Sequence, residues 1–140
     1  MATDKSNHAA VTEITVVSPD RLGLVADVSE ILAASGVNID SISVETAGGD
    51  AIIRVIAPSS SVSKARGALE KNGFPSVESD SLIISLPDKP GELARLSRQF
   101  AESGIGIRNV FLLKKEKSKT ILAFKVSDYA KAKAIAEKHR

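Results

Sequence analysis

Apolar and polar positions alternate along Glu13–Val17, EITVV, with the β-branched side chains that suit a pleated, half-buried surface. The period then changes. Apolar residues fall at 24, 25, 28, 31 and 32, the spacing of one buried helix face, and Gly36 supplies the stop. Ile39–Thr46 and Ala51–Ala57 read as strands joined through Ala47-Gly48-Gly49-Asp50, whose paired glycines suit a tight hairpin turn. Val62–Lys71 predicts a short helix capped by one of the serines at 59–61, and Phe74–Glu78 a closing strand. The order is β-α-β-β-α-β, the split-βαβ or ferredoxin-like arrangement of the α+β class.

The pattern then starts again. Asp20–Ile39, DRLGLVADVSEILAASGVNI, lies over Asp88–Ile107, DKPGELARLSRQFAESGIGI, 68 positions later. Asp20/Asp88, Gly23/Gly91, Ala26/Ala94, Ser29/Ser97, Gly36/Gly104 and Ile39/Ile107 coincide. Ser81–Leu86 repeats the first strand, TILAFKV at 120–126 pairs with AIIRVIA at 51–57, and YAKAKAIAEK at 129–138 with VSKARGALEK at 62–71. The prediction is two ferredoxin-like units in tandem, 12–79 and 80–140, behind a polar leader at 1–11. The second unit lacks its own last strand, because the sequence ends at Arg140. Its open edge is expected to be shortened, or covered by the N-terminal segment or another subunit. Its hairpin turn, KKEKSK at 114–119, reads as longer and more basic than AGGD. Ser41, Ser43 and Glu45 alternate with Ile42 and Val44, which predicts one wetted sheet face in the first unit. Val110–Leu113 is apolar on both faces, so Phe111 and Leu113 are expected to lie exposed in an isolated second unit and to mark an interface.

Composition narrows the chemistry. With 43% hydrophobic and 26% charged residues the 140-residue chain is globular rather than disordered. It has no Cys, which removes disulfides, thiolate metal sites and cysteine nucleophiles, and no apolar run approaches the roughly 20 residues of a membrane span. The N-terminal ten residues are polar and unlike a signal peptide, so the expected location is the cytoplasm. Residues 1–107 carry 9 basic and 14 acidic side chains, about −5, against 10 and 3, about +7, in 108–140. This asymmetry is either a solvated hairpin and helix face or a patch for an acidic partner. Phosphate-cradling loops are missing, and the only histidines, His8 and His139, lie near the termini, where chains tend to be poorly ordered. Ser61-Val62-Ser63-Lys64 spells S-x-x-K without its partner motifs. No catalytic constellation, cofactor or metal is therefore expected.

What repeats is a loop. Asp20-x-x-Gly23 and Asp88-x-x-Gly91 stand where the first helix of each copy begins. A helix N-terminus offers unpartnered N–H groups and about half a positive charge, and glycine lets a ligand approach the backbone. A carboxylate suits those N–H groups, while Asp20 or Asp88 can accept from an ammonium. The same residues also suit plain structure: both aspartates as N-caps, Pro90 in a first helical turn, the glycines as turn formers.

The loop, followed by GVNI at 36–39 and by GIGI at 104–107, resembles the ACT domain, a small-ligand sensing module of amino-acid metabolism, and DKPGEL at 88–93 is close to that family's commonest form. The resemblance implies a non-enzymatic sensor that binds a small molecule, an amino acid above all, where ACT units meet. It nominates Asp20, Arg21, Leu22, Gly23, Leu24 and Asn38 in the first unit. In the second it nominates Asp88, Lys89, Pro90, Gly91, Glu92 and Leu93. Gly106 stands where Asn38 does, which puts an equivalent second site in question, with Asn109 nearby to compensate. A homodimer is expected. The rival reading is a protein-interaction module docking on an enzyme or transcription factor through a sheet edge or Lys114–Lys119. RNA binding lacks its aromatic platform, since aromatic residues are 4% of the chain.

Overall fold

The computed structural model describes residues 11–139, which form two compact units that divide at residue 80. The first runs β1 (Val11–Pro19), α1 (Leu24–Ala34), β2 (Ser41–Ala47), β3 (Asp50–Pro58), α2 (Val62–Lys71) and β4 (Ser76–Asp80). The second runs β5 (Leu82–Pro87), α3 (Glu92–Glu102), β6 (Ile107–Glu116), β7 (Lys119–Val126) and α4 (Tyr129–Lys138). The first sheet has the order β2-β3-β1-β4 and the second β5-β7-β6. This is the ferredoxin-like α+β order, complete in the first unit and without its last strand among the described residues of the second. Among the described residues no fourth strand joins the second sheet, so β5 and β6 are its edges. The expected cover by the N-terminal segment falls on residues 1–10, outside the described residues.

Period and register put one face of each sheet under its helices. Val16 pairs with Ile53 and Ile14 with Val55, and these four pack with Leu24, Val28 and Leu32 of α1 in a closed core. In the second unit Leu86, Leu122 and Phe124 pack with Leu96, Phe100 and the small Ala132 and Ala136 of α4. Phe100 and Phe124 meet edge to face, with centroids 5.9 Å apart. Each such side chain, fully buried, stabilises the unit by about 1.5–3 kcal/mol.

Both predicted glycine stops are Schellman motifs. Gly36 N–H donates to Ala33 O and Val37 N–H to Leu32 O; Gly104 N–H donates to Ala101 O and Ile105 N–H to Phe100 O. Two local expectations are corrected. No serine side chain caps α2, because Ser59–Ser61 wind into a 3₁₀ turn and the Ser59 hydroxyl hydrogen-bonds Thr12 at 2.7 Å. The second hairpin turn is no longer than the first. Lys119 pairs with Glu116 as Asp50 pairs with Ala47, leaving only Lys117 and Ser118 between strands. The additional residues are absorbed by two register shifts within β6. Other apolar residues of β6 stand exposed in the whole chain. Val110 and Leu112 pair with Phe124 and Leu122 on the helix side yet are 40% and 51% exposed, whereas Phe111 is buried. Ile42 and Val44 on the edge strand β2, paired with Val55 and Ile53, are likewise 38% and 44% exposed.

Candidate functional site

The two Asp-x-x-Gly loops have the same geometry. Gly23 has φ 82° and Gly91 φ 91°, each the N-cap of its helix and each in the left-handed region that side chains with a Cβ avoid. Their carbonyls start the helices by accepting from Asp27 and Arg95, both at 2.9 Å. No side chain caps either helix. Asp20 and Asp88 are therefore not caps, and Pro90 precedes the cap instead of lying in the first helical turn. Each aspartate instead ties its loop to the adjacent hairpin through the backbone: Asp20 N–H donates to Gly49 O at 2.9 Å and Asp88 N–H to Ser118 O at 2.8 Å.

Around these matching backbones the side chains differ. In the first loop Arg21 folds over the helix start, donating from Nη2 to Asp27 Oδ2 at 2.6 Å and from Nη1 to Leu22 O. Leu22 is fully exposed at the tip, and Leu24 is in the core. Asn38 is not beside this loop. β1 and β2 both run antiparallel to β3, so β2 starts where β1 starts: Ser41 and Glu13 each pair with Ile56. The loop after Pro19 lies at the other end of the sheet, next to Gly49. Gly106 and Asn109 occupy the same far end of the second sheet, beside Ser127 and Lys125.

The second loop walls a pocket of about 260 Å³. Asp88, Lys89, Glu92 and Leu93 line it with Lys115 and Thr120 from the hairpin, over a floor that includes Leu86 and Leu122. Lys115 Nζ lies 3.3 Å from Asp88 Oδ1. The hairpin residues were not legible as site residues, since only the register of β6 against β7 carries Lys115 to a loop 27 positions earlier. A larger groove of about 800 Å³ runs between α1 and α2, but of the nominated residues it includes only Arg21. The smaller pocket is the better site because charged side chains and apolar walls converge there beside the repeated loop.

Glu92 is the buried charge of this pocket. It stands at the position where the first unit has core Leu24, and it is 9% exposed. Arg95 Nη2 donates to its Oε1 at 3.2 Å, and Lys89 Nζ lies 4.0 Å from Oε2. Burial pushes the Glu92 carboxyl up, but Arg95, with His139 and Lys89, outweighs it and holds the group below its ordinary 4.5. His139 corrects the expectation of a disordered terminal residue: it is 4% exposed, and its Nδ1 is 2.9 Å from Gln99 Oε1. Among the described residues its Nε2 has no hydrogen-bond partner, and it lies 3.6 Å from Glu92 Oε1. Burial, then Arg95, lowers this imidazole below its ordinary 6.5. His8 lies outside the described residues. Among the described residues no group of three or more His, Asp or Glu side chains is placed to hold a metal ion, and no helix is long and apolar enough to cross a membrane.

Two ferredoxin-like units, each with an uncapped glycine loop beside a hairpin, define the fold class. Residues 12–74 match the ACT domain family, and the second unit repeats the first unit's loop and, without the last strand, its order of elements. Among solved structures it is similar to a protein from Bacteroides thetaiotaomicron, with 22% identity and a TM-score of 0.81 over 95% of this chain and 90% of that one. It is also similar to the regulatory subunit of aspartate kinase from Thermus thermophilus (18% identity, TM-score 0.71, covering 94% and 93%) and from Thermus flavus (19%, 0.69, covering 99% and 99%). No curated protein sequence matches the chain.

Proposed function

We propose that this chain is a non-enzymatic cytoplasmic sensor that binds a small molecule, an amino acid, through its Asp-x-x-Gly loops where ACT units meet, and that it works as a homodimer. One observation carries the reading: the uncapped glycine loop, tied to its hairpin, occurs twice, and in the second copy it walls a pocket of amino-acid size. The loop residues Asp20–Leu24 and Asp88–Leu93 are the proposed contacts. Asn38 joins them only if it meets the loop of a different unit or of a second copy, because its own unit holds it at the opposite end of the sheet. The likeness to kinase regulatory subunits fits a chain that reports a ligand to a larger system. Docking through the basic hairpin is less favoured, since Lys114 and Lys115 are already paired with Glu116 and Asp88.

A thermal-shift screen against the twenty amino acids, with nucleobases as controls, tests the proposal. A ligand at 100 times its Kd stabilises the native state by about 2.7 kcal/mol. At least one amino acid is expected to raise the melting temperature. If none does at millimolar concentration, the sensor reading fails.

A further inference from the structure

Asn7, Asn38 and Asn109 precede His8, Ile39 and Val110; Asn72 alone among the asparagines precedes a glycine. An asparagine in that setting is chemically labile. The backbone nitrogen of the glycine attacks the asparagine Cγ, and no Cβ on the glycine hinders the approach. A new N–C bond closes a five-membered succinimide, while the side-chain nitrogen takes up the proton of the attacking N–H and leaves as ammonia. Water then opens the ring at one of its two carbonyls. The product is aspartate or, with the main chain rerouted through the side chain, isoaspartate. Water is the only co-reactant, and Asn72 is exposed to it.

The fold works against the first step. Asn72 is the C-cap of α2 with ψ 17°, which turns the Gly73 nitrogen towards the Asn72 amide nitrogen, whereas ring closure needs it alongside Cβ. Asn72 Nδ2 donates to Ala68 O at 2.8 Å and Gly73 N–H to Glu70 O at 3.1 Å. The leaving and the attacking nitrogens are thus both tied into the last helical turn. Phe74, 9% exposed, closes the turn from beyond it, its N–H donating to Leu69 O at 2.8 Å. The product also suits this place badly. A carboxylate cannot donate to Ala68 O, and a helix C-terminus already carries about half a negative charge. In the second copy His139 follows Lys138 where Asn72 follows Lys71, so the reaction is confined to the first unit.

We infer that Asn72–Gly73 is a site of spontaneous deamidation that the folded end of α2 suppresses, so that conversion there records the opening of that end. Helix ends open locally at a lower cost than the whole unit. Conversion sets a negative charge in the wall of the groove between α1 and α2, which Arg21 of the first loop also lines. The inference is independent of the proposed sensor function.

Peptide mapping by mass spectrometry tests it, on the full chain held at mildly alkaline pH with and without denaturing guanidinium chloride. The tryptic peptide that begins at Asn72 is expected to gain the mass of an acid in place of an amide, mainly as isoaspartate. Conversion is expected to run at least tenfold faster in the unfolded chain than in the folded one. Asn72→Gln, which keeps an amide but lengthens the side chain, is expected to abolish it in both states. Equal rates in the folded and unfolded chain overturn the inference, as does faster conversion at Asn38 or Asn109 than at Asn72. Asn72→Asp, which makes the product directly, is expected to lower the denaturation midpoint of the folded chain. An unchanged midpoint would overturn the claim that the folded end of α2 resists the product.

Discussion

His139 shows what a single residue does when burial and charge disagree. The folded unit lowers the imidazole's pKa below its ordinary value, because burial and Arg95 oppose the imidazolium more than Glu92 favours it. The unfolded chain takes up its proton at the ordinary value near 6.5, so between that value and the lower folded one the unfolded state binds more protons. Stability is therefore expected to fall as pH drops below 6.5. Glu92 has the same sign in a lower window: its contribution is present above about 4.5 and is lost as pH falls through its depressed folded value. Urea midpoints between pH 7.5 and 5.5 are expected to decline, and His139→Gln to flatten that decline. An identical slope in the variant would remove His139 from the account. This cluster was not legible in the sequence. Glu92, Arg95 and Gln99 are spaced i, i+3 and i+7 like any solvated stripe, and only the return of the chain after α4 covers them with His139.

At the scale of elements, the two hairpins solve the same geometric problem with different residues. Both two-residue turns need positive φ. Gly48 and Gly49 supply 60° and 88° freely, whereas Lys117 and Ser118 adopt 48° and 64° with side chains that disfavour them. The left-handed conformation costs a residue with a Cβ about 1–2 kcal/mol. Lys117→Asn with Ser118→Gly is expected to raise stability by about 1 kcal/mol or more, read as a higher denaturation midpoint at unchanged slope. A lowered midpoint would mean that the lysine and serine side chains earn their place elsewhere. The sequence suggested a long basic turn because six polar residues, KKEKSK, stand where the first copy has AGGD. The register placed three of those residues, Lys114, Lys115 and Glu116, in the strand, because the bulges of β6 absorb the additional length.

For the whole molecule the decisive quantity is size. Units of about 65 residues bury only about 60% of the surface that their unfolded chains expose, so each core has little to spare. At about 0.05–0.15 kcal/mol per residue, such a unit holds on the order of 3–10 kcal/mol. Leu32, fully buried beneath the first sheet, is expected to cost about 2–5 kcal/mol when cut to alanine. Hydrogen exchange of the amides in β1 and β3 is expected to accelerate by at least tenfold in Leu32→Ala. Unchanged protection there would show that the core closes around the missing side chain. By itself the sequence determined the order of elements, the duplication and the loops, because these follow from local period, turn chemistry and repetition along one chain. Only the tertiary structure decided that Asn38 and its own loop lie at opposite ends of a sheet, that Lys115 meets Asp88, and that Glu92 is a buried charge. Strand direction, register and the burial of one side chain by another are relations between distant segments, and no local pattern encodes them.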